Sequence, residues 1–195
     1  MIDMEKILKQ VSEKLINCFL GQTTLRFPKR RGATTRISEQ ESKFFFSIVF
    51  EHEECSFAVE VPTKETHIIT GKKPRSALHD MAIYDEMDTL EFAWIIELKS
   101  GQPKESNIEK DFYKMVFAKC NCVWFHTLEN ANSGTIPALL DKFNNAWDNV
   151  KSSLTDIKEW KFTIVVLKQE KYYQITIRTD KTISFPNDIS KWDCY

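Results

Sequence analysis

Hydrophobic side chains recur with two different spacings along the chain, and each spacing predicts a type of element. Apolar positions three or four apart in residues 3–20 predict an amphipathic helix that ends at Gly21. A second helical pattern begins at Ser38, which forms a capping-box sequence with Glu41. The same helical spacing returns in residues 107–119 and 136–150. The chain is therefore expected to contain four helices.

Short apolar runs between and after these helices predict strands. The expected strands cover residues 56–61, 66–70, 81–84, 92–96, 122–126, 162–167 and 172–177. Pro62 is expected to end the first of them. The last two strands form a predicted C-terminal β-hairpin. Because helices alternate with strands in the middle of the chain, the pattern favours the α/β class, with a mixed β-sheet flanked by helices.

Composition narrows the class of protein. The chain has 195 residues, of which 42% are hydrophobic and 28% charged, which is enough for a hydrophobic core and excludes a disordered protein. A net charge of −1 argues against nucleic-acid binding by bulk charge but leaves room for a local basic patch. We expect a single domain, with an N-terminal helix and basic loop in 1–35, a core in 36–130, and a C-terminal helix and hairpin in 131–195.

The sequence also predicts a compartment. No apolar run has the length of a signal peptide or a membrane span, and the five cysteines are an odd number without framework spacing. We therefore expect a cytoplasmic protein with reduced thiols and no membrane association. No His-Glu-x-x-His sequence is present, so a zinc protease of that type is excluded.

The candidate chemistry lies in the hairpin formed by residues 81–84 and 92–96. If its turn is centred between Asp88 and Thr89, Asp80 lies opposite Glu97, and Glu97 and Lys99 project to one face. Opposed carboxylates repel each other, and a divalent cation would offset the repulsion. Oxygen ligands suit Mg²⁺ or Mn²⁺ better than zinc. We expect Asp80, Glu97 and the Leu98 backbone carbonyl to hold the metal, while Lys99 orients or deprotonates a water.

Asp80 and the Glu97-Leu98-Lys99 sequence at the end of a buried strand resemble the signature of the PD-(D/E)xK nuclease superfamily. The resemblance covers residues 36–130 and implies a restriction-endonuclease-like fold with an α-β-β-β-α-β core. It also implies that Asp80, Glu97 and Lys99 are catalytic. His79 stands where the family usually has proline. The motif is short, and its context at the end of a strand gives it weight.

Many members of this superfamily add a glutamate from the first core helix. Two residues qualify here, Glu41 and Glu39. Glu41 is preferred because it precedes Phe44, Phe45 and Ile48 by three, four and seven positions and so shares their predicted buried face. Glu39 is the alternative and is expected on a more exposed face.

The resemblance implies a Mg²⁺-dependent endonuclease that hydrolyses phosphodiester bonds, with DNA as the expected substrate and RNA left open. Two basic groups are expected to bind nucleic-acid phosphates. They are Arg30, Arg31 and Arg36 before the second helix, and Lys72, Lys73 and Arg75 before Asp80. The alternative is a non-catalytic module that binds nucleic acid or protein on the same scaffold. The C-terminal hairpin is expected to extend the sheet, to form a homodimer interface or to contact nucleic acid.

Overall fold

A mixed β-sheet with helices on both faces forms the centre of the computed structural model, which describes residues 2–25, 27, 38–67, 75–85, 91–128, 132–151, 161–168, 171–178 and 192–194. The described helices are α1 (Met4–Phe19), α2 (Glu39–His52), α3 (Glu105–Phe117) and α4 (Thr135–Lys151). The described strands are β1 (Phe57–His67), β2 (Arg75–Tyr84), β3 (Phe92–Ser100), β4 (Asn121–Leu128), β5 (Lys161–Lys168), β6 (Lys171–Arg178) and β7 (Asp193–Cys194).

The seven strands are neighbours in the order of the chain. Strands β1, β2 and β3 pair antiparallel, β3, β4 and β5 pair parallel, and β5, β6 and β7 pair antiparallel. The predicted α/β class with a mixed sheet is therefore confirmed. Since β5 pairs with β4, the C-terminal hairpin extends the sheet, which was one of the three roles left open by the sequence.

Each face of the sheet carries its own hydrophobic core, so the structure has three layers. Apolar residues of α1 and α2, among them Phe46 and Phe50, pack against Ile96 and Phe125 on one face. The other face is covered by α3 and α4, whose Phe112 and Trp147 pack around Trp124. The fully buried rings supply a large part of the apolar area that stabilises the fold.

Two local predictions differ from the structure. The strand expected to end at Pro62 continues to His67 as part of β1, with a register shift between Pro62 and Thr66. A proline fits there because β1 is the edge strand of the sheet, where an N–H need not be donated to a neighbour. Ser38 is the residue that caps α2, as predicted, but its hydroxyl bonds to the Glu41 carboxylate instead of to a backbone N–H.

A buried histidine ties β4 to the turn that follows β3. The Trp124 indole N–H donates to Nδ1 of His126 over 3.3 Å, so the proton of the neutral ring lies on Nε2, which donates to the carbonyl of Gly101 over 2.7 Å. Gly101 has a φ of +68°, a conformation that glycine adopts without strain. Burial is the main cause that lowers the pKa of His126 to about 4. His126 therefore remains neutral at physiological pH and fixes the end of β3.

This histidine predicts a pH dependence of stability. Its pKa is about 4 in the folded chain, whereas the ordinary pKa of a histidine, which we expect in the unfolded chain, is 6.5. The unfolded chain therefore binds more protons between these values, and the free energy of unfolding falls as pH decreases from 6.5 to 4. The loss is about 3 kcal/mol at 1.4 kcal/mol per pKa unit. Urea unfolding across this range measures it. His126→Gln should remove this contribution, whereas His52→Gln, at an exposed site, should retain it. A pH profile that is the same in wild type and His126→Gln would contradict the assignment.

Candidate active site

The predicted pairing of β2 with β3 is confirmed for three consecutive pairs next to the candidate residues, and it shifts by one residue toward the turn, where Tyr84 pairs with Phe92. Met81 pairs with Ile96, Ala82 with Ile95 and Ile83 with Trp94. The backbone pairing described between these strands starts at Met81. At the preceding residue, the Asp80 carboxylate accepts a hydrogen bond from the Leu98 N–H over 2.8 Å, so a side chain is the partner of this backbone group. Side chains therefore stop alternating regularly at Asp80, which changes the predicted geometry of the site.

A cavity of about 570 Å³ opens beside the ends of β2 and β3. Its charged lining includes the carboxylates Glu39, Asp80 and Asp111 and the ammonium groups Lys99 and Lys114. Glu60 and Lys110 add one further charge of each sign, and Gln102 and Asn107 add polar groups. The lining comes from α2, β1, β2, β3 and α3 and from the turn after β3, so the sheet and helices of both faces build this cavity.

Glu97 is placed differently from the prediction. Its side chain is fully buried, with Oε1 3.0 Å from Nδ1 of His79 and Oε2 2.8 Å from Nζ of Lys114. His79 reaches Glu97 because the regular alternation of side chains along β2 ends before His79. Glu97 is not among the residues that line the cavity. It would reach a metal there only if Lys114 moved away.

Lys114 is the buried centre of the charge network. Its ammonium group bonds to Glu97, to Oδ1 of Asp111 over 2.9 Å and to the backbone carbonyl of Leu78 over 2.9 Å. These three acceptors use all three N–H bonds of the group. Burial is the largest influence on the pKa of Lys114 and lowers it, but Glu97 and Asp111 together raise the pKa above its ordinary value. Lys114 is therefore a cation that donates all of its hydrogen bonds to groups within the protein.

Lys99 lies between two carboxylates at the wall of the cavity. Its Nζ atom is 3.0 Å from Oδ2 of Asp111, 3.9 Å from Oδ2 of Asp80 and 5.9 Å from the centre of the Trp124 ring. Burial lowers the pKa of Lys99, but Asp111, then Glu97 and Asp80, outweigh burial and raise it. A lysine with a raised pKa stays protonated at neutral pH. Of the two predicted roles, these charges favour a cation that orients and stabilises, since a protonated amine cannot accept a proton from water.

Glu41 is buried and Glu39 is the more exposed of the two glutamates of α2, as predicted, but it is Glu39 that lines the cavity. Glu41 is 1% exposed and bonds to Ser38, and it is not among the residues that line the cavity. Glu39 lines the cavity and accepts from the Ser100 N–H over 3.3 Å. Phe45 is buried like Glu41, as predicted, whereas Phe44 and Ile48 are exposed, and the preferred glutamate is the one that does not line the cavity.

Negative charge exceeds positive charge in this network. Glu39, Asp80, Glu97 and Asp111 are four carboxylates, while Lys99 and Lys114 are two ammonium groups. Burial is the largest influence on the pKa of Glu39 and raises it. Lys99 lowers this pKa, whereas Asp80 and Asp111 raise it, so the pKa of Glu39 lies above its ordinary value. The excess of two negative charges, once the carboxylates are ionised, equals the charge of one divalent cation.

Asp80 and Glu39 fit such a cation as ligands, because both line the same cavity and each uses one oxygen for a backbone N–H. Mg²⁺ typically binds one or two protein carboxylates and keeps several waters or substrate oxygens. In the part of the chain that is described, no group of three His, Cys, Asp or Glu side chains is arranged around a metal position. Glu97 does not fit in this conformation, since both of its oxygens are already bound.

Several predicted residues have only a partial description. Leu98 contacts the site through its N–H, and a metal-binding role for its carbonyl stays a prediction. Arg30, Arg31, Arg36, Lys72 and Lys73 lie outside the described residues, and of Arg75 the structure describes the backbone, which pairs with His67. The predicted phosphate-binding patch therefore stays a prediction.

Asp111, like Lys114, belongs to the site but was not among the residues predicted from the sequence. It lies on α3 three residues before Lys114, a spacing that brings two side chains of a helix together. Its position among apolar residues of α3, next to Phe112 and before Met115, was the signal that it faces inward.

Comparison of the chain with models of protein families, with curated protein sequences and with solved structures found no match. Among the described residues, no helix has both the length and the apolar character needed to cross a membrane.

Proposed function

We propose that this chain is a Mg²⁺-dependent nuclease of the PD-(D/E)xK type, with a restriction-endonuclease-like fold, which hydrolyses phosphodiester bonds in DNA. The observation that carries the proposal is the cavity in which Asp80, Glu39 and Lys99 meet. Hard carboxylate oxygens beside a protonated amine are suited to a negatively charged phosphodiester and its cation. The five free cysteines fit the reducing cytoplasm in which we expect the protein to act.

Asp80, Glu39 and Lys99 each have one task in this proposal. Asp80 and Glu39 would hold the cation, whose chemistry there would be to polarise a phosphoryl oxygen and to lower the pKa of a bound water. The Leu98 N–H holds Asp80, and the Ser100 N–H holds Glu39, so that each carboxylate keeps a fixed orientation. Lys99 lies beside Asp80 and supplies a positive charge where negative charge develops in the transition state.

A non-catalytic binding module on the same scaffold is the second candidate. One observation favours this candidate. The family signature makes Glu97 a metal ligand, but here Glu97 is buried and both of its oxygens are bound, one to His79 and one to Lys114. A scaffold that has lost activity would keep the fold and the internal ion pairs. It would bind nucleic acid or a protein partner without metal-dependent cleavage.

Cleavage assays with three substrates distinguish the candidates. Plasmid, linear duplex and single-stranded DNA are incubated with the purified chain, with and without Mg²⁺. The proposal predicts cleavage that requires the cation and is lost in Asp80→Ala. DNA that stays intact under all of these conditions, or cleavage equal in wild type and Asp80→Ala, would contradict it. An RNA substrate in the same series decides the choice between the two nucleic acids.

The two glutamates of α2 provide a matched pair of variants. Glu39→Gln removes a charge from the cavity, and we expect cleavage to fall about a hundredfold and the Mg²⁺ concentration for half-maximal rate to rise. Glu41→Gln makes the same chemical change in the core and should affect the unfolding free energy more than the metal dependence. The measurement is a Mg²⁺ titration of the cleavage rate for both variants. A larger rise in the Mg²⁺ requirement for Glu41→Gln than for Glu39→Gln would show that the assignment is reversed.

A further inference from the structure

Asp111 occupies the junction between the two lysines of the site. Its side chain is buried, and its two oxygens bind different cations: Oδ1 lies 2.9 Å from Lys114 and Oδ2 lies 3.0 Å from Lys99. One carboxylate thus connects a lysine that is committed to the core with a lysine at the cavity wall.

Lys99 depends on this carboxylate for its position. Among the contacts described for its ammonium group, Asp111 is at hydrogen-bond distance, whereas Asp80 is 3.9 Å away and the Trp124 ring centre 5.9 Å away. A lysine has a long flexible side chain, and a charged hydrogen bond is the strongest of these restraints. Without Asp111 the ammonium group would be free to leave the side of the cavity on which it now lies.

Lys114 in turn holds Asp111 in place. It is bound to Glu97 and to the Leu78 carbonyl as well, so Asp111 is anchored to β2 and β3 through one fully bonded cation. The charge of Asp111 is therefore fixed at a rigid position relative to the sheet that carries Lys99.

We propose that Asp111 is a positioning residue of this site, whose carboxylate bridges Lys114 and Lys99 and thereby holds the Lys99 ammonium group beside Asp80. The consequence for cleavage rests on the proposed nuclease function, whereas the placement of Lys99 does not. Displacement of a catalytic group by about 1 Å can slow a reaction by about a hundredfold. The positioning role therefore predicts a loss in kcat with little change in KM.

The placement of Lys99 is tested by NMR of the lysine ammonium groups, in a ¹H–¹⁵N correlation spectrum at low temperature with Lys99→Met used for assignment. Asp111→Asn should broaden or remove the Lys99 signal, because the charged acceptor that protects its protons is gone. Asp148→Asn is the matched control, since Asp148 pairs with Lys151 at the same spacing of three residues on the surface of α4. It should leave the Lys99 signal unchanged. A Lys99 signal that persists unaltered in Asp111→Asn would overturn the proposal.

Asp111→Glu is the conservative variant, and it keeps the proposal testable if Asp111→Asn does not fold. It keeps the charge and lengthens the side chain, so the Lys99 signal should remain with a changed chemical shift. An unchanged Lys99 shift in Asp111→Glu would also overturn the proposal.

Cleavage kinetics separate this inference from the proposed function. We expect kcat for Asp111→Asn to fall about a hundredfold with KM within about twofold of wild type, and partial recovery in Asp111→Glu. Loss of the Lys99 signal together with unchanged kcat would overturn the role of Asp111 in the reaction. If the Lys99 signal is lost in Asp111→Asn but the wild-type chain cleaves no substrate, the placement of Lys99 is supported and the nuclease function is refuted.

Discussion

Lys99→Met is expected to reduce Mg²⁺-dependent cleavage of DNA by about 10²–10³-fold, mainly through kcat. Lys99 supplies the protonated amine at the cavity wall beside Asp80, and methionine has a similar shape but no charge. The loss should appear in single-turnover rates at saturating Mg²⁺, so that weaker cation binding does not enter the comparison.

Lys151→Met is the matched control for this variant. Lys151 is ion-paired with Asp148 on α4, away from the cavity lining, and its replacement should leave the cleavage rate within about twofold of wild type. A Lys99→Met variant that cleaves at the wild-type rate would refute a catalytic role for Lys99.

Lys114→Met is expected to lower the free energy of unfolding by about 3–5 kcal/mol. The substitution leaves the fully buried Glu97 carboxylate without its ammonium partner and also removes a donor from Asp111 and the Leu78 carbonyl. Urea unfolding followed by circular dichroism measures the loss. Lys151→Met, at a partly exposed ion pair, should change the free energy by less than about 1 kcal/mol.

The double variant Glu97→Gln/Lys114→Met tests the cause of this loss. Glutamine at position 97 removes the buried charge, so the double variant should be more stable than Lys114→Met alone. If the effects of the two substitutions simply add, Glu97 and Lys114 are not coupled and the buried ion pair does not stabilise the fold as described.

The sequence predicted the architecture because its signals are local and repeated. The helical spacing in residues 3–20 and the apolar runs around β2 and β3 each follow from which side chains face the core. The register of β2 and β3 was predictable from Met81 to Ile83, because the hydrophobic faces of the two strands must match, but the shift at Tyr84 was not. The prediction that Pro62 ends the first strand was wrong, because the effect of a proline depends on whether its strand lies at the edge of the sheet. That position is a property of the whole sheet and not of the local sequence.

The site was less predictable than the fold because three of its features depend on tertiary contacts. Alternation along β2 fails at Asp80, where a side chain replaces the backbone as partner of Leu98. The choice between Glu39 and Glu41 depends on how the first turn of α2 meets the sheet. Asp111 and Lys114 were not predicted, because charged side chains of a helix usually face solvent and it is the packing of α3 against the sheet that buries these two.

Crystals of the chain grown with Mn²⁺ would show whether Asp80 and Glu39 bind a divalent cation, because anomalous scattering locates this ion independently of any activity. We expect one strong anomalous peak in contact with the Asp80 and Glu39 carboxylates, which disappears in Asp80→Ala. A map without a peak at these two side chains in a Mn²⁺-saturated crystal, or a peak that remains in Asp80→Ala, would contradict this expectation.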